Sequence, residues 1–304
     1  MARKTGWADR RRISKALGQE AWQIFSENDV LKQYAWRAFW YSALLGIGTV
    51  IVSGAIAGAL AYFAGWLGIV GVVPLFFGIW LTSYIFYLYY GALTAETANI
   101  LDGYPADYER GLATARDHKK ALSRWALIQV IIGFILSAIR ESAGDNAIAA
   151  IIALIVTVVV GIIWAVISFF VLPLIIFESL GAGQAIKRSK DLARNQWGKQ
   201  IRGTVRIAVR GTLVYTLPGV LAIIVGIVLI MFGVGAASAA ATLGAIVVGA
   251  VLLFGGIVLM ILGSVKIAAA RYIFGVALYR FTVGEGTLGG FNTDDLAASV
   301  RVKT

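Results

Sequence analysis

The sequence predicts an all-α, polytopic transmembrane helical bundle of six spans, and three observations predict it. Of its 304 residues, 59% are hydrophobic and only 14% charged, whereas soluble domains carry about 25% charged residues. So few charges cannot coat a globule of this size. No charged residue occurs between Arg37 and Glu96. About 20 apolar residues cross a bilayer core of about 30 Å, so this interval has room for two crossings. The third observation is where the 27 Lys and Arg residues fall. Arg140 alone lies in one set of alternate connections; all the others lie in the two termini and in the segments Glu96–Arg124 and Glu178–Arg210. This alternation is the positive-inside signal, and it places both termini in the cytoplasm. A missed or invented span would scramble it.

The spans follow in order. Residues 1–37 form a basic amphipathic cytoplasmic segment, and 38–265 the membrane domain. Span 1 covers about 38–64 and span 2 about 73–95, the latter rich in Phe, Trp and Tyr. Span 3, about 125–139, ends at Arg140 and Glu141, which are expected to pair on the outer face. Span 4 runs over about 147–177, long enough to tilt or kink, with Pro173 removing a backbone donor near its end. Span 5, about 211–232, contains Pro218, and span 6 covers about 242–265. Lys266 is expected to snorkel to the interface, and residues 266–304 form a cytoplasmic tail that starts helical and becomes polar. No cleavable signal peptide is evident, so the first span is expected to act as the targeting signal.

A threefold pattern emerges, in which each pair of spans follows a basic, helix-compatible segment. These are Ile13–Tyr34, with Leu17, Ala21, Ile24, Phe25 and Leu31 at helical spacing; Tyr108–Trp125; and Ala185–Ile201, with Ile186, Ser189, Ala193 and Trp197 on one stripe. Such helices suit the interface, with apolar faces toward lipid and basic faces toward headgroups. The architecture expected is three hairpins, each introduced by a cytoplasmic amphipathic interfacial helix.

Chemistry-bearing residues are few. The sequence has no cysteine and one histidine, which excludes thiolate chemistry and leaves zinc without enough ligands. His118, within Arg116–Lys120, reads as a solvated surface residue. The glycines at 284, 286, 289 and 290 lack the strand and helix of a dinucleotide site and read as a flexible tail. No span centre carries a charge. Glu96 and Glu178 each end a long apolar run before a basic segment. They are expected to pair with a nearby Arg or Lys or to cap the next helix; the alternative is a cation-binding vestibule. Gly54 and Gly58 form a GxxxG in span 1, and Gly244, Gly249, Gly255 and Gly256 mark span 6, as expected of close helix packing within the bundle.

The run Trp164, Phe169, Phe170, Pro173 and Glu178 resembles the end of the fourth span in a widespread prokaryotic family of integral membrane proteins of unknown function. A helix start with Ala185, Ile186 and Ser189 follows, with Gln184 where that family usually has an acid. Trp197-Gly198 and Ala277-Leu278-Tyr279 continue the match, and Ser14 and Trp22 fit loosely. More distantly, the chain resembles the membrane domain of glycerophosphodiester phosphodiesterases, without their catalytic domain. The resemblance implies the fold, the topology and a prokaryotic cell-membrane location, and it supplies no function.

The function expected is non-enzymatic and without a cofactor. The basic helices are expected to bind anionic headgroups of membrane lipids, or a partner protein or second copy, and so to organise the membrane. The residues expected to carry this are Glu96, Pro173, Glu178, Lys187, Arg188, Lys190, Arg194 and Trp197. A small-solute or ion channel or transporter is the alternative. Nucleic-acid binding is not expected despite the net charge of +11, because the bases track the span ends and no recognition motif occurs.

Overall fold

The computed structural model describes residues 7–142, 144, 146–197, 212–234, 238–284 and 286–300. Its elements are α1 (Trp7–Glu27), α2 (Asp29–Phe63), a 3-10 turn (Gly65–Gly71), α3 (Val72–Leu101), α4 (Tyr108–Asp117), α5 (Lys119–Glu141), α6 (Ala147–Ile167), α7 (Val171–Phe177), α8 (Ala182–Trp197), a π turn (Thr212–Thr216), α9 (Leu217–Gly233), α10 (Ala239–Val283) and α11 (Thr293–Val300). Six of the helical stretches are long and apolar enough to cross a membrane. They form three hairpins, α2 on α3, α5 on α6 and α9 on α10, and each hairpin follows a shorter helix, α1, α4 or α8.

Local chemistry starts and stops these helices. The Asn146 carboxamide accepts from Ile148 N and Ala149 N at the start of α6, and the Asp107 carboxylate accepts from Arg110 N at the start of α4. Both satisfy amide groups that a first helical turn leaves unpaired. The spans expected at 147–177 and 211–232 are reshaped by their prolines. Pro173 cannot donate to the turn before it and its ring clashes with the carbonyl four residues back, so the helix breaks over 168–170 and restarts as α7. Pro218 lies inside span 5 as expected, at the start of its regular helix, where a missing N–H costs nothing.

The packed core sits at the basic end of the spans. Helices of 35 and 45 residues, α2 and α10, reach about 52 and 67 Å, far beyond a bilayer core of about 30 Å. Their overhang is where burial concentrates: Leu31, Tyr34, Ala35 and Ala38 on α2, Tyr90–Leu101 on α3, and Ala269–Tyr279 on α10. The tail from Lys266 starts helical as expected, as an unbroken continuation of α10, but it is buried there and carries the centre of the core. Most large apolar side chains farther from the basic end remain exposed, including Leu44, Ile47 and Val50 on α2, Ile148, Ile155 and Ile163 on α6 and Leu243, Val251 and Leu259 on α10. Lipid tails are as apolar as these side chains, so no hydrophobic gain drives them inward.

Two expectations about the short helices change. The chain expected as one interfacial helix over Ile13–Tyr34 divides at Asn28, whose backbone is extended. The stripe Leu17, Ala21, Ile24 and Phe25 is buried within the protein core, on a helix that packs against α10 and α11. On α8 the buried residues are Ala182, Ala185, Ser189 and Leu192. The apolar face of α1 therefore meets protein, because the overhanging helix ends offer it a nearer apolar surface; of the stripe expected on α8, Ser189 is buried and Ile186 and Ala193 are half-buried.

Close glycine contacts hold the third hairpin. Gly219, Gly226 and Gly233 recur every seven residues on α9, as do Gly249, Gly256 and Gly263 on α10, and all six are buried. A Cβ at Gly226 would stand 2.5 Å from Gly249 O, and one at Gly256 2.5 Å from Gly219 O. Gly54 and Gly58, by contrast, face open space, so the GxxxG of span 1 packs on no helix among the described residues.

Candidate functional site

Glu96 occupies the last turns of α3 and is fully buried. Its carboxylate accepts from Asp107 N at 2.8 Å, from Asn99 Nδ2 at 3.1 Å and from Arg110 Nε at 3.4 Å, and Arg110 Nη2 contacts Oε1 directly. Arg110 Nη2 also donates to Pro105 O at 2.8 Å, so one carboxylate sets the whole turn between α3 and α4. Its hydrogen bond raises the Arg110 guanidinium pKa above its ordinary value. Tyr34 locks the far side: its hydroxyl donates to Tyr108 O at 2.6 Å and its ring stacks on that of Tyr108. Arg37 donates to the Tyr108 hydroxyl at 2.7 Å and covers its ring. Gly111 permits this approach, since a Cβ there would press on Tyr34 and lie 3.0 Å from Ala92 O.

Glu178 closes α7 and is partly exposed. It accepts from the Tyr279 hydroxyl at 3.0 Å and faces Arg188 Nε at 3.7 Å. Pro173 is buried, and the break it causes leaves the carbonyls of α6 short of donors. The Ser189 hydroxyl donates to Ile167 O, and Ser168 Oγ and Arg271 Nη2 both reach Ala165 O, at 3.3 and 3.4 Å. Gln184 Oε1 accepts from Gly181 N at 3.2 Å, the back-reaching half of a capping box, which glutamate or glutamine can supply. His118 is not simply solvated: its ring bonds Thr114 O at 2.8 Å and Ser179 Oγ at 3.1 Å, tying the α4–α5 turn to the α7–α8 turn.

Exposed bases surround this packed end. They include Lys15 on α1, Arg116 on α4, Lys119, Lys120 and Arg124 at the start of α5, and Lys187 and Lys190 on α8. Arg188 is exposed as well, beside Glu178. The side chains of Arg194 and Trp197, like those of Ile13 and Ser14, lie outside the described residues, as do Gly198 and Ile201. Glu96 and Glu178, expected as equivalent residues, are not brought together: each organises its own turn with its own arginine.

Sequence reading missed three features. Asp102 receives a bidentate contact from Arg280, at 2.8 and 2.6 Å, and the Thr287 hydroxyl at 2.8 Å. With Phe291 and Leu296 buried, this docks the glycine-rich segment expected to be a flexible tail. The Arg280 bonds, then those of Thr287, lower the Asp102 pKa to about 2. Arg140 donates to Ser137 Oγ at 3.2 Å, in place of the expected pair with Glu141. The third feature is a partly open cavity of about 260 Å³ between α3, α5, α6 and α10, with Tyr87, Trp125, Gln129, Trp164, Arg271 and Tyr272 in its wall. The isolated Arg271 in the sequence was the one signal for it, and it was counted with the tail.

A model of the family of unknown function DUF6159 matches residues 68–290, well over half of the chain. No curated protein and no solved structure matches it. The matched segment runs from the turn after α2 to the loop before α11 and so contains Glu96, Pro173, Glu178, Ser189 and Tyr279. The chain is a polytopic all-α membrane protein that belongs to this family of unknown function.

Proposed function

We propose that the protein is a non-enzymatic component of the prokaryotic cell membrane whose basic cytoplasmic face gathers anionic lipid headgroups and so organises the inner leaflet. One observation carries this reading. Lys119, Lys120 and Arg124 on α5 and Lys187 and Lys190 on α8 are exposed at the end of the bundle where exposed apolar surface gives way to packed core. A basic residue near an anionic leaflet contributes about 1 kcal/mol of attraction, and several together make a preference for acidic lipid. The apolar face of α1 is occupied by protein, so the attraction rests on the bases and weakens with salt. The carboxylates of Glu96, Asp102 and Glu178 each have an arginine partner, which supports a structural role for them over general acid–base work.

The test is the lipid composition retained by the purified full-length protein from membranes of mixed zwitterionic and anionic lipid, measured by mass spectrometry. Enrichment of anionic lipid that falls when Lys119, Lys120, Lys187 and Lys190 are changed together to glutamine supports the reading. Retention equal to the bulk composition overturns it. A transport function draws on the cavity beside Arg271, and solute flux into proteoliposomes that R271Q abolishes would favour it.

A further inference from the structure

We infer that the cavity beside Arg271 is a binding site for a single phosphate-type oxyanion, seated where the lipid headgroup layer meets the acyl chains. Its wall holds one cation and no carboxylate. Among the described residues Arg271 has no acidic partner; its contact at 3.4 Å is with a carbonyl, Ala165 O. Arginine stays charged at every working pH, so the site carries a fixed positive charge that a carboxylate or phosphate would neutralise.

The remaining wall chemistry selects for an acceptor. Trp125 is 1% exposed, and its indole N–H has no hydrogen-bond partner among the described residues. A buried donor left unpaired is costly, and indole N–H can only donate. Gln129 Oε1 accepts from Trp164 Nε1 at 2.8 Å, and the Gln129 side chain also hydrogen-bonds Tyr87, so this amide holds the wall in place. The hydroxyls of Tyr87 and Tyr272 add further donors, while that of Ser168 already donates to Ala165 O. A wall of one guanidinium and several N–H and O–H donors fits tetrahedral phosphate oxygens and gives a metal cation no anionic ligand. Arginine meets such an anion through a planar fork of N–H groups.

The depth points to a lipid as the source. On α5 the exposed large apolar side chains begin at Ile131, two residues after Gln129, and on α6 they end at Ile163, the residue before Trp164. A phosphate held at Arg271 would therefore have its acyl chains laid against exposed Ile131, Phe134, Ile162 and Ile163. Free phosphate could supply the same oxygens without the chains. This site is separate from the surface bases, and its occupancy does not depend on them.

Isothermal titration of the purified full-length protein with dioctanoyl phosphatidylglycerol, dioctanoylglycerol and inorganic phosphate tests the inference. Saturable binding of the phosphatidylglycerol, absent for dioctanoylglycerol and weakened about tenfold or more in R271Q, is expected from loss of a charged hydrogen bond. W125F keeps the aromatic wall and removes one donor, so it weakens binding about threefold to tenfold. Equal binding of inorganic phosphate with the same R271Q loss supports the site and names the free anion as its source. The glutamine variant at Lys119, Lys120, Lys187 and Lys190 retains this binding, which separates the site from the surface contact. The inference is overturned if neither phosphate compound binds, if dioctanoylglycerol binds as well as the phospholipid, or if R271Q binds like wild type. Should R271Q not fold, unchanged binding by W125F overturns it.

Discussion

Gly255 and Gly256 are chain neighbours on α10, yet alanine at each should act in opposite directions. Nothing lies within 4 Å of a Cβ built at Gly255, whereas one at Gly256 meets Gly219 O at 2.5 Å, Ile223 Cγ1 at 2.8 Å and Ile223 N at 3.0 Å. Gly→Ala in a helix interior is worth about 0.8–1 kcal/mol of added helix stability, and G255A should gain up to that amount. In G256A the same gain is opposed by a clash with backbone, which no rotamer change relieves. Ordinary contact needs about 3.4 Å or more, so α9 and α10 must separate by about 1 Å. A gap of 0.5–1 Å forfeits about a quarter to a half of each dispersion well along the interface, and overpacking generally costs about 1–3 kcal/mol. The net result is a loss of up to about 2 kcal/mol. Thermal unfolding in detergent, followed by fluorescence-detected size exclusion, should show G255A at or above wild type and G256A clearly below it. Equal melting of the two variants would refute the claim that this hairpin is held by close glycine contact.

Three further outcomes follow from the polar nodes. E96A removes the acceptor of Asp107 N, Asn99 and Arg110 and should cost about 2–4 kcal/mol, since hydrogen bonds to a charged group are worth about 1.5–3 kcal/mol each; hydrogen exchange at the Asp107 amide should rise, while E96Q keeps an acceptor and loses less. S189A leaves the Ile167 carbonyl at the helix break without its hydroxyl donor and should cost about 1–3 kcal/mol, read as a lower melting temperature that S189T partly restores. Asp102, at about 2 in the fold, lies below its ordinary unfolded value of about 3.9. Its contacts therefore stabilise the fold fully above about pH 4, and that stability is lost as pH falls toward 2. Proteolysis of the 284–291 segment should increase across that window in wild type, and D102N should be cleaved readily at every pH.

Span number and hairpin order were legible in the sequence because each apolar run is a local, additive signal. The pairing of Glu96 with a nearby arginine was legible too, since a carboxylate at the end of an apolar run needs a counter-charge and the following segment is basic. The location of the core was not. Ala269–Tyr279 follows Lys266 and includes Arg271, so it reads as the start of a tail, and only the packing of other helix ends around it makes it the centre. The same competition misdirected the stripe of α1, because an amphipathic period states that a helix has an apolar face and not what covers it. Arg271 and Asp102 acquire meaning through contacts with residues far away in sequence, which no local pattern announces.

The proposed orientation puts the basic helix ends among the described residues, with the packed core they surround, on the cytoplasmic side of the six-span bundle. The sequence contains no cysteine, so single cysteines can be introduced without background. Ser142 and Ser238, in the connections at the opposite end, and Lys120 and Lys190, at the basic end, are all exposed. Labelling of intact cells with a membrane-impermeant maleimide should modify S142C and S238C at once, and K120C and K190C only after permeabilisation. Modification of K120C or K190C in intact cells, or protection of S142C and S238C, would contradict the account.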